Sequence, residues 1–433
     1  MSYTITAFTN WVANFKDWDA LRGWLVSPAG GNLRVIEPKE CDYAIVRYVK
    51  GQSLFNLDHV HWCRSVVVHK ATRLPVCIAP PKASELTDEA VNQAVVAEEF
   101  VDGTMMNVFL NNTNETPQMA TRSRLGGKSR FYDNGKTFET MLMEAMSANK
   151  VATLEDLLPP SETPEKTNPA ARFTSLILQH PENRIVRKID GPTFYMVHQG
   201  WTFQDGRVEI TEDAGEFQCE TSAEGDAADF FEIQGYNLEA VRAAKTVKDW
   251  VAAQAKDRGH NWQGVVLKDG KGNRWRARSD IYETVRRIRG NESTPEERFA
   301  RLRRTRTVDN YLVFYPEDRD IFYNLEGRLR KNTRQLSHFY NDVFRSHTTV
   351  YHELPWPYKH HVSVLHNLFK DILRAQGKKV TLEEVIRYVN GLTLEDMVNM
   401  LKEHKVELIK KPAGDGAEVK EVKVVKKTRG GKA

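Results

Sequence analysis

The sequence predicts an α+β fold, with an antiparallel-sheet core followed by an all-helical C-terminal domain. Three observations carry this. Short Val- and Ile-rich runs bounded by Gly, Asn or Pro recur through the first 280 positions. Helical stretches fall between them irregularly, without regular βαβ alternation. Near Gly290 the character changes, and the segments beyond it are helical.

From Asp42 to Ala79 the runs DYAIVRYV, RSVVVHK and RLPVCIA read as strands, and VVAEEFVDGTMMNVFL reads as two strands joined by a tight turn at Asp102-Gly103. ARFTSLILQ, TFYMVHQGW, WQGVVLKD and NRWRARS continue the strand-rich pattern. Thr137 to Met146 and Leu238 to Ala255 read as helical, and the Pro- and Thr-rich residues 152–171 as a loop. In NESTPEERFARLRR, Thr294 caps a helix, Pro295 suits its first position and Glu297 completes a capping box. TLEEVIRYV and TLEDMVNMLKEHK each begin with a Thr followed by an acid three residues on. The tail after Ile409 alternates Lys with Val, Ala and Gly and is expected to be basic, disordered and available to nucleic acid. The expected domains are 1–290, 291–409 and the tail 410–433, with no internal repeat.

At 433 residues the chain is long enough for two or three domains, and its apolar content is that of a globular protein. The net charge of +4 says little; the distribution says more, because the basic excess sits late. Cys41, Cys63, Cys77 and Cys219 show no C-x-x-C spacing, so neither a zinc site nor a disulfide framework is expected. The N-terminus MSYTITAFTNWVANF lacks a basic start followed by an apolar run, and no stretch reaches membrane-spanning length. The expectation is a soluble, reduced, intracellular and cytoplasmic protein without a membrane partner.

Six segments, in order over about residues 42–282, resemble the motifs of phage-type RNA ligases in the nucleotidyltransferase superfamily. RSVVV at Arg64 resembles the upstream R-G strand, and EEFVDGTMMNVF the nucleotidyl-lysine motif K-x-D-G. TRS at Thr121 to Ser123 resembles the short segment after it, and FTSLILQHPENRIV the central strand motif. WQGVVLK resembles E-G-V-V, and RWRARSDIY resembles K-x-K-S-x-x-Y. The wording of EEFVDGTMMNVF and LQHPENRIV is also similar to RNA-ligase-like proteins of large DNA viruses. The resemblance implies a ligase-like core with a helical appendage. Its viral branch implies the host cytoplasm or the virion, with viral or host protein partners.

The departures fall where chemistry would be. The alignment puts Phe100 at the lysine nucleophile, and a phenyl ring cannot form a phosphoramidate. Ile177 and Gln263 stand where the family has glutamates, removing negative charge that would hold a divalent ion. No catalytic and no metal-binding residue is therefore expected. The phosphate-facing set remains. Arg276 and Arg278 alternate along one strand and share a face, at places where the resemblance implies lysines on nucleotide phosphates. Arginine keeps the charge and adds bidentate geometry. By the same resemblance Arg64, Arg122 and Lys268 join the nucleotide- and phosphate-binding set.

Plainer readings stand beside these. Arg276 and Arg278 alone would be the solvated side of a strand, Asp102-Gly103 a hairpin turn, Phe100 core, and His180 a hydrogen-bonded structural residue. Asp58, His59, His61 and Cys63 have ligand-type side chains but lack a second half, and read as no metal site. The densest basic region, Lys271 to Arg306, includes Arg286, Arg287, Arg298, Arg301 and Arg304. A charge run is usually a solvated face; following the phosphate strand, this one is read as an RNA-backbone surface.

Three functions are consistent with the sequence. The first is a non-catalytic binder of a nucleotide, cap or RNA 5′ end. The second is an active ATP-dependent RNA ligase using Lys82, Lys128 or Lys268, for which ATP or GTP with Mg²⁺ would be the cofactors. The third is a viral structural or assembly protein that keeps the fold. RNA or nucleotide is the expected partner of the first two.

Overall fold

The structure is a computed structural model describing residues 1–112, 116–131, 135–161, 168–212, 232–402, 405–410 and 420–425. It is mixed α+β with largely antiparallel sheets, and it divides between Arg287 and Ile288 into two compact units.

The first unit is built on a seven-stranded antiparallel sheet. Its strands run, edge to edge, Ser2–Ile5, Val208–Thr211, Thr193–Thr202, Ala171–Gln179, Thr104–Asn111, Gln118–Thr121 and Arg124–Leu125. Side chains alternate across it. Met106, Val108, Leu176, Leu178 and Phe194 pack under the helix Phe138–Ala148, which Thr137 caps by accepting from the Thr140 N–H. Phe109, Ala171, Phe173 and Ile210 pack the other way. There they meet an antiparallel sheet of Arg34–Ile36, Tyr43–Arg47, Val66–His69 and Pro75–Ile78, and the helices Thr9–Ala13 and Trp18–Val26. Between the pairs Ser175–His198 and Leu176–Met196 the register shifts, leaving Val197 as a bulge.

A third sheet has the order Gly235–Tyr236, Val96–Glu99, Gly264–Lys268, Arg274–Arg278, Ser84–Glu85, with only its last pair parallel. The helices Leu238–Ala243 and Val247–Arg258 bury Val241, Val251 and Ala255 against Ala97, Val265 and Leu267. The expected single helix from Leu238 to Ala255 is thus two. Thr246 begins the second by accepting from the Asp249 N–H.

One turn is not what the sequence suggests. Val96–Glu99 and Thr104–Asn111 form no hairpin; they belong to different sheets, and Phe100–Gly103 carries the chain across. The Asp102 carboxylate is consumed in holding that crossing. It accepts from the Tyr282 hydroxyl (2.8 Å), the Val186 N–H (2.9 Å) and the Arg187 N–H (3.1 Å). Gly103 is required by close approach: a Cβ there would lie 2.5 Å from Ile177 Cγ2 and 2.6 Å from the Leu178 carbonyl oxygen.

In the second unit the helices are Pro295–Thr305, Val308–Phe314, Arg319–Phe344, Trp356–Leu368, Leu382–Asn390 and Leu394–Leu401. Thr294, Thr381 and Thr393 accept from the backbone N–H three residues on, as the capping patterns require. Phe299, Tyr311, Phe322, Leu325, Leu329 and Leu336 are buried. Lys405–Lys410 pairs antiparallel with Lys420–Val425. A strand therefore stands within the span 410–433 expected to be disordered, and 405–410 departs from the expected all-helical domain. The Lys/Val alternation there is a strand period. Positions 411–419 and 426–433 lie outside the described residues, as does Cys219. No helix among the described residues is long and apolar enough to cross a membrane.

Candidate functional site: an arginine-lined cavity

The crossing Phe100–Gly103 forms one wall of a cavity of about 300 Å³. The central sheet contributes Met105, Ile177 and the bulged Val197, and the third sheet contributes Glu98, Val266 and the face of Arg274–Arg278. The three positions at odds with the ligase pattern, Phe100, Ile177 and Gln263, all line it, and so do Arg64, Arg122, Arg276 and Arg278. Arg286 and Lys82 reach it as well.

The arginines differ in what already holds them. Arg276 donates to the Ala83 carbonyl (2.9 Å) and pairs with Glu85. Arg278 pairs with Glu283 at 2.6 Å, and its guanidinium carbon lies 5.1 Å from the Phe100 ring centroid. Burial, then the charge of Arg286, pushes the Arg278 guanidinium down, and its Nε–H is buried without an acceptor. Among the described residues the Arg64 side chain makes one weak hydrogen bond, 3.4 Å to the Pro80 carbonyl. Burial, together with the charges of Arg122, Arg274 and Arg276, pushes it down to about 10. Arg122 lies over the Tyr48 ring at 5.6 Å.

Lys268, expected among the phosphate-facing residues, does not line the cavity. Its ammonium is buried between Glu98 (2.7 Å) and Glu212. Two carboxylates already satisfy that charge. Arg274 shares both of them, at 3.2 and 3.4 Å, and the Tyr3 hydroxyl donates to Glu212 at 2.9 Å. Burial raises the Glu212 carboxyl, but Lys268 and Arg274 outweigh it and hold the group down to about 2. Arg274 also lines the cavity. Sequence reasoning passed over it, although it stands two positions before Arg276 and shares its face. Tyr282 and Glu283 were passed over too; Tyr282 occupies the tyrosine place in RWRARSDIY.

The basic run divides between the units. Arg286 (3.6 Å from Glu283) and the exposed Arg287 fall in the first; Arg298, Arg301 and Arg304 fall in the second. Arg298 is only 5% exposed and donates to the Tyr311 hydroxyl, Asp318 and the Glu292 carbonyl at 3.2–3.3 Å. Arg301 pairs with Glu292 and donates to the Ile288 and Arg289 carbonyls. Both thus tie parts of this unit together, Arg298 enclosed and the Arg301 side chain 27% exposed, while Arg304 is exposed.

The cluster from Asp58 to Cys63 forms a short helix in which His59 bonds the Gly30 carbonyl at 2.9 Å. Among the described residues no group of three or more His, Cys, Asp or Glu is placed to hold a metal ion. His180 accepts from the Glu182 N–H through Nδ1, so its Nε2 carries the hydrogen facing Glu144 at 2.8 Å.

No protein-family model and no curated protein matches this chain. Among solved structures it is similar to an RNA ligase of Naegleria gruberi, a mutant determined with ATP and Mn. The identity is 14% and the TM-score 0.26, over 47% of this chain and 57% of that one. The match thus spans under two thirds of the length of that ligase.

Proposed function

We propose that the cavity binds a phosphorylated ligand, a nucleotide, cap or RNA 5′ end, without forming a covalent lysine–nucleotide bond. The observation that carries this reading is the crowding of Arg64, Arg122, Arg276 and Arg278 around one cavity in which Phe100 fills the place of the expected nucleophile. Guanidinia held together in a partly buried site repel one another, and an anion relieves that repulsion while receiving bidentate hydrogen bonds. The motif order of the ligase-like proteins supports a nucleotide or RNA end as the source of the phosphate.

Incubation with labelled ATP or GTP and Mg²⁺, followed by denaturing separation and intact mass, tests it. The expected result is no adduct, alongside measurable binding of nucleotide or 5′-phosphorylated RNA. A covalent adduct overturns the reading in favour of an active ligase. Lys82 would then be the first lysine to replace, since it lines the cavity, whereas Lys128 does not and Lys268 is committed to Glu98 and Glu212. Neither adduct nor binding would favour a structural role.

A further inference from the structure

The cavity holds two kinds of arginine. Arg64 and Arg122 have no carboxylate partner among the described residues. Arg278 and Arg286 share one: Glu283 stands 2.6 Å from the first and 3.6 Å from the second. Its carboxylate therefore occupies the place that an anion between these two guanidinia would take. Glu283 lies on the helix Asp280–Arg289 with its side chain 33% exposed, so water is available to it if it is displaced. Arg278 still has one donor without an acceptor.

We infer that Glu283 is a built-in competing anion that makes the cavity selective for a terminal phosphomonoester over the phosphodiesters within a strand. This rests on the phosphate-binding reading above. A phosphodiester carries one charge, so on entering it exchanges like for like with the tethered carboxylate and gains little. A terminal monoester carries nearly two charges at neutral pH and three acceptor oxygens. It outcompetes the carboxylate at Arg278 and Arg286 while also engaging Arg64 and Arg122. Glu85, paired with Arg276 and 80% exposed, opposes entry in the same way at the neighbouring arginine.

The test measures binding of one single-stranded oligoribonucleotide, in 5′-phosphorylated and 5′-hydroxyl forms, by fluorescence anisotropy. It compares the full chain with Glu283→Gln, Glu85→Gln and the double variant Arg64→Ala, Arg122→Ala. The unaltered chain is expected to prefer the phosphorylated end by about tenfold, the worth of one or two charge-assisted hydrogen bonds. Glu283→Gln should tighten the hydroxyl form more than the phosphorylated form and shrink that preference. Glu85→Gln should act in the same direction, and it stands in if Glu283→Gln fails to fold. A preference that is absent from the unaltered chain, or that neither variant narrows, overturns the role of Glu283. If that happens while the double arginine variant loses binding, the phosphate-binding reading survives alone. If the double variant binds the phosphorylated strand undiminished, both fall.

Discussion

Arg278 lies over the face of Phe100, 5.1 Å from its centroid, at the place where a ligase-like pattern would set a lysine. The ring gives that guanidinium an aromatic face and offers no nucleophile of its own. On the binder reading proposed above, a lysine placed there should not form an adduct, because Ile177 and Gln263 supply no carboxylate. Phe100→Lys is expected to show no nucleotide adduct by intact mass. It should also lower the thermal midpoint, since a favourable contact of about 0.5–2 kcal/mol becomes a like-charge one. An adduct in this variant would mean that the missing carboxylates are not limiting.

Gly103→Ala should destabilise the first unit by about 1–3 kcal/mol, the usual penalty for forcing atoms into a filled site. One of the two atoms in the way is the backbone oxygen of Leu178, which cannot swing aside. Denaturant unfolding checks this. An unchanged midpoint would show that the crossing at Asp102-Gly103 is looser than its contacts imply.

The buried Glu212 gives the protein an acid-sensitive joint. Its folded value of about 2 lies below the ordinary 4.5, so the unfolded chain binds this proton first. The stabilisation is therefore complete above about pH 4.5 and is lost as pH falls towards 2. Stability measured against pH should decline across that window, and Glu212→Gln should flatten the decline while lowering stability at neutral pH. An equally steep decline in the variant would assign the acid sensitivity to other groups.

Arg298→Ala should reduce the stability of the second unit by about 3–5 kcal/mol, because it leaves Asp318 without its buried cation. Arg304→Ala, at an exposed position, should leave the melt unchanged. If Arg304 contacts RNA, its removal should reduce the salt dependence of binding; an unaltered salt slope would exclude it.

What could be read from the sequence followed from how local each signal was. Helix starts at Thr294, Thr381 and Thr393 are decided within four residues, and they were legible. The strand of Arg276 and Arg278 was legible from its alternation. The gathering of Phe100, Ile177, Gln263, Arg64 and Arg122 about one cavity came from motif order, since nothing in the residues themselves places positions so far apart together. The Asp102-Gly103 turn was misread because its outcome is set by Val186, Arg187 and Tyr282, distant in the chain. The ties made by Arg298 and Arg301 were not legible for a related reason. Helical spacing shows which residues share a side, but Tyr311, Asp318 and Glu292 decide what those two guanidinia bind. Lys268 looked like a phosphate ligand only while Glu212, beside a strand of a different sheet, was out of view.

The buried charges around Lys268 join two sheets. Glu98, Lys268 and Arg274 belong to one sheet, and Glu212 follows the strand Val208–Thr211 of the other. Spreading the two sheets would pull four largely buried charges apart. These ion pairs oppose widening of the cavity between the sheets. A ligand of the proposed kind would then be selected by its fit at the mouth, and its release governed by the contacts it makes inside.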